Sequence, residues 1–253
     1  MRTPISIGLI GTTDASTVAA LAPRIERLGF HALWLNDVPG GDSLAGLRVA
    51  AASTERLGLA TGVIPLDRRP VESLDLAGLP ERRTSLGVGS GRAAHPLALV
   101  EQGVARLRER SDAEIVVGAL GPRMRRLAAE QADGALLNWL TPHAAAATTA
   151  ELHEAGGARR VRSVLYVRTI AEADARAELE AEAERYEHVP AYAANFARLG
   201  IRAIDATIDG ARDLAGYDSA VDEIVLRAIT PSGSLAELER FVETTAAWVE
   251  RSA

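Results

Sequence analysis

The chain has no cysteine. That excludes disulfides, thiolate nucleophiles and cysteine metal sites, and it fits a reducing cytoplasm. Lysine is absent too, since all 28 basic residues are arginine. A Walker-type lysine, a Schiff-base lysine and a lysine general base are therefore excluded, and GC-rich coding accounts for the bias without chemistry. Aromatic residues make up 4% of the 253 positions, so Ala, Val and Leu must fill the interior. The opening apolar run, Ile5-Ser-Ile-Gly-Leu-Ile10, is too short for a signal peptide. No run approaches the ~20 apolar residues of a membrane span. Positive charge is not in excess either: the net charge of −6 argues against a general nucleic-acid binder. The expectation is a cytoplasmic protein with a small-molecule substrate, no nucleic-acid partner and no membrane partner.

What is present is alternation. Nearly continuous Val/Ile/Leu runs read as parallel strands buried on both faces. They lie near Ile5–Gly11, Ala32–Asn36, Leu59–Leu66, Ser85–Gly89, Glu114–Ala119, Gly134–Trp139, Arg162–Thr169 and Glu223–Thr230. Between them, amphipathic stretches predict helices over Ala15–Leu28, Leu44–Arg56, Pro96–Arg110, Pro122–Gln131, Pro142–Ala155, Ala171–Tyr186 and Leu235–Glu250. Eight strands in βα alternation predict one (β/α)8 TIM barrel, an α/β domain spanning 1–253. The third connection, Asp67–Arg83, holds at most a short helix around Val71–Leu79. The segment Glu187–Ala220 exceeds one crossover and predicts an extra helix, Ala191–Leu199, before the eighth strand.

In such a barrel the chemistry sits at the carboxyl ends of the strands. Those ends carry Gly11 to Asp14, Asn36-Asp37, Gly62-Val63-Ile64, Gly89-Ser90-Gly91, Ala119-Leu120-Gly121-Pro122, Asn138-Trp139 and Arg168. A single glycine there reads as a turn residue. Together they suit a large flat ligand lying against backbone. Gly62 inside an apolar strand marks a bulge or a packing accommodation. Arg68, Arg69, Arg92, Arg123, Arg125 and Arg126 gather on the same rim, where guanidinium pairs with phosphate or carboxylate, although each alone reads as solvated helix surface. Gly121-Pro122 ends a strand and starts a helix, whose free N–H groups suit a phosphate. Asn138 must be hydrogen-bonded if buried. Asp14 reads as the N-cap of the first helix. Asp37 reads as a general acid/base or as a capping partner, while His95 and His143 read mainly as surface or capping residues.

Two motifs fail on inspection. Gly87-Val-Gly-Ser-Gly91 lacks the glycine at position 92 that a dinucleotide fingerprint needs. Ser90 is no nucleophile elbow, because Val88 and Arg92 flank it. No His/Asp/Glu spacing marks a metal site. Glu172–Arg185 reads as a solvated amphipathic helix.

The stretch Gly118-Ala-Leu-Gly-Pro-Arg-Met124, followed by Asp133-Gly-Ala-Leu-Leu-Asn-Trp-Leu-Thr-Pro142, resembles the segment from the fifth to the sixth strand of the luciferase-like flavin/F420-dependent oxidoreductases. Arg24-Ile-Glu-Arg-Leu-Gly-Phe-His-Ala-Leu-Trp-Leu-Asn-Asp37, Leu57-Gly-Leu-Ala-Thr-Gly-Val-Ile-Pro65 and Leu86-Gly-Val-Gly-Ser-Gly91 extend the resemblance over most of the chain. It implies a TIM barrel, usually dimeric, that binds F420 or FMN at the strand ends. It also implies a non-prolyl cis peptide in the Gly62–Val63–Ile64 bulge, behind the cofactor ring. The positions that would line the cofactor are Asn36, Asp37, Gly62, Val63, Ile64, Gly89, Ser90, Gly91, Ala119, Leu120, Gly121, Pro122, Arg123, Asn138 and Trp139.

The chain departs from the family's sugar-phosphate dehydrogenase branch. Val38 and Arg92 stand where that branch has its histidine and its acid, so its acid–base pair and substrate class are not expected here. The long insertion after the fourth strand is also missing, since Gly91 runs almost directly into the Pro96 helix. The resulting expectation is a homodimeric oxidoreductase that transfers hydride between F420 and a small organic substrate. No acid–base residue is assigned beyond Asp37 as a candidate. An FMN-dependent monooxygenase, and a non-catalytic barrel that lost its cofactor, are the alternatives.

Overall fold

The computed structural model describes residues 1–251. Eight parallel barrel strands run in order around a closed sheet: β1 (Ile5–Ile10), β2 (Ala32–Asn36), β3 (Gly58–Thr61), β5 (Thr84–Gly89), β6 (Glu114–Gly118), β7 (Gly134–Asn138), β8 (Arg162–Thr169) and β10 (Glu223–Ala228). Closure comes from β10, which pairs with β8 on one side and with β1 on the other, Ile5 opposite Ile224. Two short strands are additional: β4 (Ile64–Pro65) pairs with β5, and β9 (Thr207–Ile208) extends the edge of β8. The expected eight-stranded barrel is therefore the observed fold.

Alternation along each strand sorts the side chains. Ile5, Ile7 and Leu9 of β1 pack outward into the main core under the helices. A smaller core inside the barrel holds Ala32, Trp34, Ala60, Val116, Leu136, Val164, Tyr166 and Val225. The layering follows from strand geometry, because successive side chains face opposite sides of the sheet.

The helices are α1 (Ala15–Arg27), α2 (Ser43–Ser53), α3 (Pro96–Arg108), α4 (Pro122–Gln131), α5 (Pro142–Gly156), α6 (Arg176–Glu187), α7 (Pro190–Leu199), α8 (Ala211–Gly216) and α9 (Leu235–Arg251). Asp14 caps α1 by accepting from the Thr17 N–H at 2.9 Å. Asp42 and Thr141 cap α2 and α5 in the same way. Helices α3, α4, α5 and α7 each begin with proline, whose missing N–H would have been unpaired there.

The structure corrects the expected strand Leu59–Leu66, which breaks into β3 and β4 around a cis peptide between Gly62 and Val63. The third connection carries two single 3-10 turns, Val71–Ser73 and Glu81–Arg83. The predicted extra helix is α7, and α8 and β9 follow it unforeseen. Together α6 and α7 form a cap that sits over one end of the barrel. An aromatic cluster of Trp139, Tyr186, Tyr192 and Phe196 fastens it.

Candidate functional site at the carboxyl ends of the strands

A cavity of about 690 Å3 opens where the strands end, roofed by α7. Of the positions expected at a cofactor, Asn36, Asp37, Gly62, Val63, Gly89, Ser90, Gly91, Ala119, Leu120, Gly121 and Asn138 line it. Four others sit elsewhere. Ile64 is fully buried in the outer core, because the next residue along a strand faces the other side. Pro122 and Arg123 lie on the exposed start of α4. Trp139 is buried behind the wall, against Tyr186 and Phe196 of the cap. His95 and His143 are exposed and do not line the cavity.

The glycines have a more specific use than lying flat under a ligand. The Val63 side chain, just past the cis peptide, faces β5 and β6. A Cβ on Gly89 would come within 2.8 Å of a Val63 methyl, and one on Gly118 within 3.2 Å. These two glycines therefore seat Val63, and Val63 in turn shapes the cavity wall. A Cβ on Gly62 would meet Trp34 at 3.2 Å and Tyr166 at 3.3 Å. Gly91 is needed on two counts: its φ is +58°, and a Cβ would fall 1.8 Å from an Asp67 carboxylate oxygen.

Asp37 is committed to an ion-pair network. Its side chain is fully buried, and it accepts from Arg68 at 2.6 Å, from Arg69, and from the Ser43 hydroxyl at 2.9 Å. Both carboxylate oxygens are engaged, Oδ1 by Arg68 and Oδ2 by Arg69 and Ser43. The part of Asp37 here is to anchor the second strand's loop. The same contacts explain Arg68 and Arg69, expected as an anion rim but committed mainly to Asp37. Arg125 also turns inward, donating to the Leu120 carbonyl at 3.1 Å and to Glu151 at 3.2 Å. Burial pushes its guanidinium below the usual arginine range. Arg92, Arg123 and Arg126 are exposed.

The start of α4 keeps the features expected of an anion site. Gly121 receives no side-chain cap, and the space beside it is open. The first N–H groups of the helix and its positive dipole end thus face the cavity rim.

Sequence reasoning reached Arg168 as a strand end but missed the rest of the cap side of the cavity. Tyr166, Arg168, Tyr186, Tyr192, Asn195 and Arg198 all contribute to its wall. Arg168 is 3% exposed. It donates through Nε to Glu182 at 2.9 Å and through Nη1 to the Asn138 side-chain oxygen. Its guanidinium lies 4.1 Å from the Trp139 ring centre and 4.6 Å from that of Tyr186. Glu182 corrects the solvated reading of Glu172–Arg185. Burial alone would raise its carboxyl, but Arg168 and Arg227 outweigh burial and hold it below the usual range. The available signal was an arginine near the end of each of two mainly apolar strands, Arg168 and Arg227, a residue type seldom buried without a partner. Nothing in the sequence marked Asn195 or Arg198.

Two buried donors in this wall have no acceptor: the Tyr166 hydroxyl and the Asn195 side-chain amide. Among the described residues no group of three or more His, Asp or Glu side chains is placed to hold a metal ion. Nor is any helix long and apolar enough to cross a membrane.

A family model described as luciferase-like monooxygenase matches residues 3–113. No curated relative matches the chain. Among solved structures, the chain is similar to the coenzyme F420-dependent tetrahydromethanopterin reductase from Methanopyrus kandleri. The identity is 16%, all of both chains is covered, and the TM-score is 0.71. A monooxygenase from Streptomyces bottropensis is 18% identical over 99% of this chain and 100% of its own, with a TM-score of 0.70. An F420-dependent secondary alcohol dehydrogenase, solved with an F420–acetone adduct, is 13% identical over 96% of this chain and 99% of its own, with a TM-score of 0.64. The family model thus covers residues 3–113, and the barrel fold of these solved structures extends along the whole chain.

Proposed function

We propose that this luciferase-like barrel is an oxidoreductase that binds F420 and serves hydride transfer to or from a small organic substrate. The observation that carries the reading is the construction of one cavity wall. The cis Gly62–Val63 bulge, seated on Gly89 and Gly118, leads round to the uncapped start of α4. That wall offers shaped backbone for a flat ring at one end and N–H groups for a phosphate at the other. A volume of about 690 Å3 falls within the ~300–1,000 Å3 of ligand sites. The unpaired Asn195 donor fits a group rich in acceptors.

When bound, F420 supplies the hydride chemistry. The protein's own residues position and shield. Val63 supports one face of the ring site, and Asn36 and Ser90 stand at its edges. The α4 N–H groups hold a phosphate, and α7 with its aromatic cluster limits the entry of water. None of these residues is assigned a proton-transfer step. The rim favours F420 over FMN because its net positive charge suits the more anionic tail. FMN is the second reading. It is favoured by the family model, described as a monooxygenase, and by the likeness to the Streptomyces bottropensis monooxygenase.

Titration of the purified protein against F420 and FMN, followed by fluorescence, decides between them. Micromolar binding of F420 with FMN at least tenfold weaker supports the proposal. The reverse order moves the assignment to an FMN-dependent monooxygenase. Binding of neither overturns both and leaves a non-catalytic barrel.

A further inference from the structure

Two arginines stand side by side at the barrel mouth. Arg168 on β8 and Arg227 on β10 are register partners in adjacent strands. They are 3% and 8% exposed. Like charges opposed on one face of a sheet repel, and a buried charge without a counterion is costly. A single buried carboxylate serves both: Glu182 lies 2.9 Å from Arg168 and 4.0 Å from Arg227. Arg168 lines the cavity, whereas Arg227 faces a neighbouring one that Glu178 and Glu182 also line. The acid that does line the cavity, Asp37, is already held by Arg68 and Arg69.

The geometry of Arg168 narrows what can complete this set. Trp139 and Tyr186 lie against the guanidinium, so its remaining donors act along the edge. Nε is taken by Glu182 and Nη1 by Asn138. Nη2 has no protein acceptor among the described residues, and Arg168 lines the cavity. Two residues earlier on the same face of β8, the Tyr166 hydroxyl is buried and unpartnered. Burial pushes that phenol up to about 12, so it stays protonated and can donate. The unfilled side-chain groups in this cavity's wall, Arg168 Nη2, the Tyr166 hydroxyl and the Asn195 amide nitrogen, can all donate, and the unpaired Glu178 Oε2 lies in the neighbouring cavity. The wall that fits the cofactor belongs to β3, β5 and β6, whereas β8 and β10 follow two and three strands beyond β6 around the barrel. The unfilled donors thus point to a second ligand.

We propose that the β8 side of the cavity is the substrate subsite and takes the carboxylate of a small organic acid. Arg168 Nη2 donates to the carboxylate, Arg227 behind it supplies the second positive charge, and Tyr166 offers a further donor. Calling the acid a substrate rests on the oxidoreductase reading; the subsite itself does not.

The test is calorimetric titration with pyruvate, with and without saturating F420, beside its neutral amide and inorganic phosphate as comparators. Trp139, packed on Arg168, reports the same event by fluorescence. Pyruvate is expected to bind at least tenfold more tightly than either comparator. The double variant Arg168→Gln/Glu182→Gln removes the pair, and of the three groups only Arg227, 4.0 Å from Glu182, loses its partner. It is expected to lose pyruvate binding at least tenfold while melting cooperatively, and Arg227→Gln to lose less. Equal binding of the amide, tighter binding of phosphate, no pyruvate binding, or unchanged binding in a folded double variant each overturns the subsite. Pyruvate binding by a protein that binds neither F420 nor FMN keeps the subsite and removes the redox role. Cofactor binding without pyruvate binding removes the subsite alone.

Discussion

The two mouths of the barrel are built from the same kinds of residue and treat them in opposite ways. At the amino-terminal mouth Glu223 is 1% exposed. It accepts from Ser6 at 2.5 Å, from the Trp34 indole at 2.7 Å and from Arg162. Arg162 continues to Glu114, which also accepts from Ser85. Every buried polar atom there is paired. At the carboxyl mouth Tyr166, Asn195 and Trp139 each bury a donor that has no acceptor. A saturated network makes a plug, whereas an unsaturated one, costly to keep, marks a place where another molecule completes the set.

The sharpest way to break this contrast is at the plug. Glu223→Ala leaves the Trp34 and Ser6 donors unpaired and takes one of its two carboxylates from Arg162, which keeps Glu114, so stability should fall by about 2–4 kcal/mol in urea unfolding. Cofactor affinity should stay within twofold if the mouths are independent.

Next in size is Gly89→Ala, whose new methyl meets Val63. Overpacking of this kind costs about 1–3 kcal/mol. Here the displaced Val63 should also weaken F420 binding at least tenfold, read by fluorescence titration. A stability loss without an affinity loss would detach Val63 from the ligand.

A smaller effect depends on pH. Glu182 is held below the usual carboxylate range in the folded chain, so its contribution is complete above the unfolded value near 4.5 and is lost as pH falls through the lower folded value. Melting temperature should therefore drop more steeply below pH 4.5 in the wild type than in Glu182→Gln. Parallel curves would mean that the two arginines do not depend on it.

Smallest of all, Arg123→Gln and Arg126→Gln, on exposed positions of α4, should change stability by no more than about 0.5 kcal/mol. Any loss of F420 affinity should shrink as salt is added.

The same contrast divides what could be read from the sequence. The barrel frame was legible because strand and helix periods alternate cleanly; Ala32–Asn36 and Arg162–Thr169 even end where expected. The barrel rule then pointed to the strand ends, and most of the cavity floor followed. Asp37 accepts from Ser43 at the start of α2, as its capping reading had it, but its two arginine partners lie 31 and 32 positions away, a distance no local pattern encodes. Glu182 was misread for a similar reason: it looks like any other acid on a charged helix until β8 and β10 bring their arginines to it. The roof came from a segment with neither motif nor strong periodicity, so Asn195 and Arg198 gave no warning.

The pairing of β1 with β10 has a consequence during synthesis. Ile5 must wait for Ile224 before the sheet can close. At ~5–20 residues per second, a ribosome needs roughly 10–40 s to make the intervening chain. Throughout that interval one edge of β1 offers unpaired N–H and C=O groups to any neighbouring strand. The nascent protein is thus most exposed to mispairing at its first strand, and only the last strand to be made relieves it.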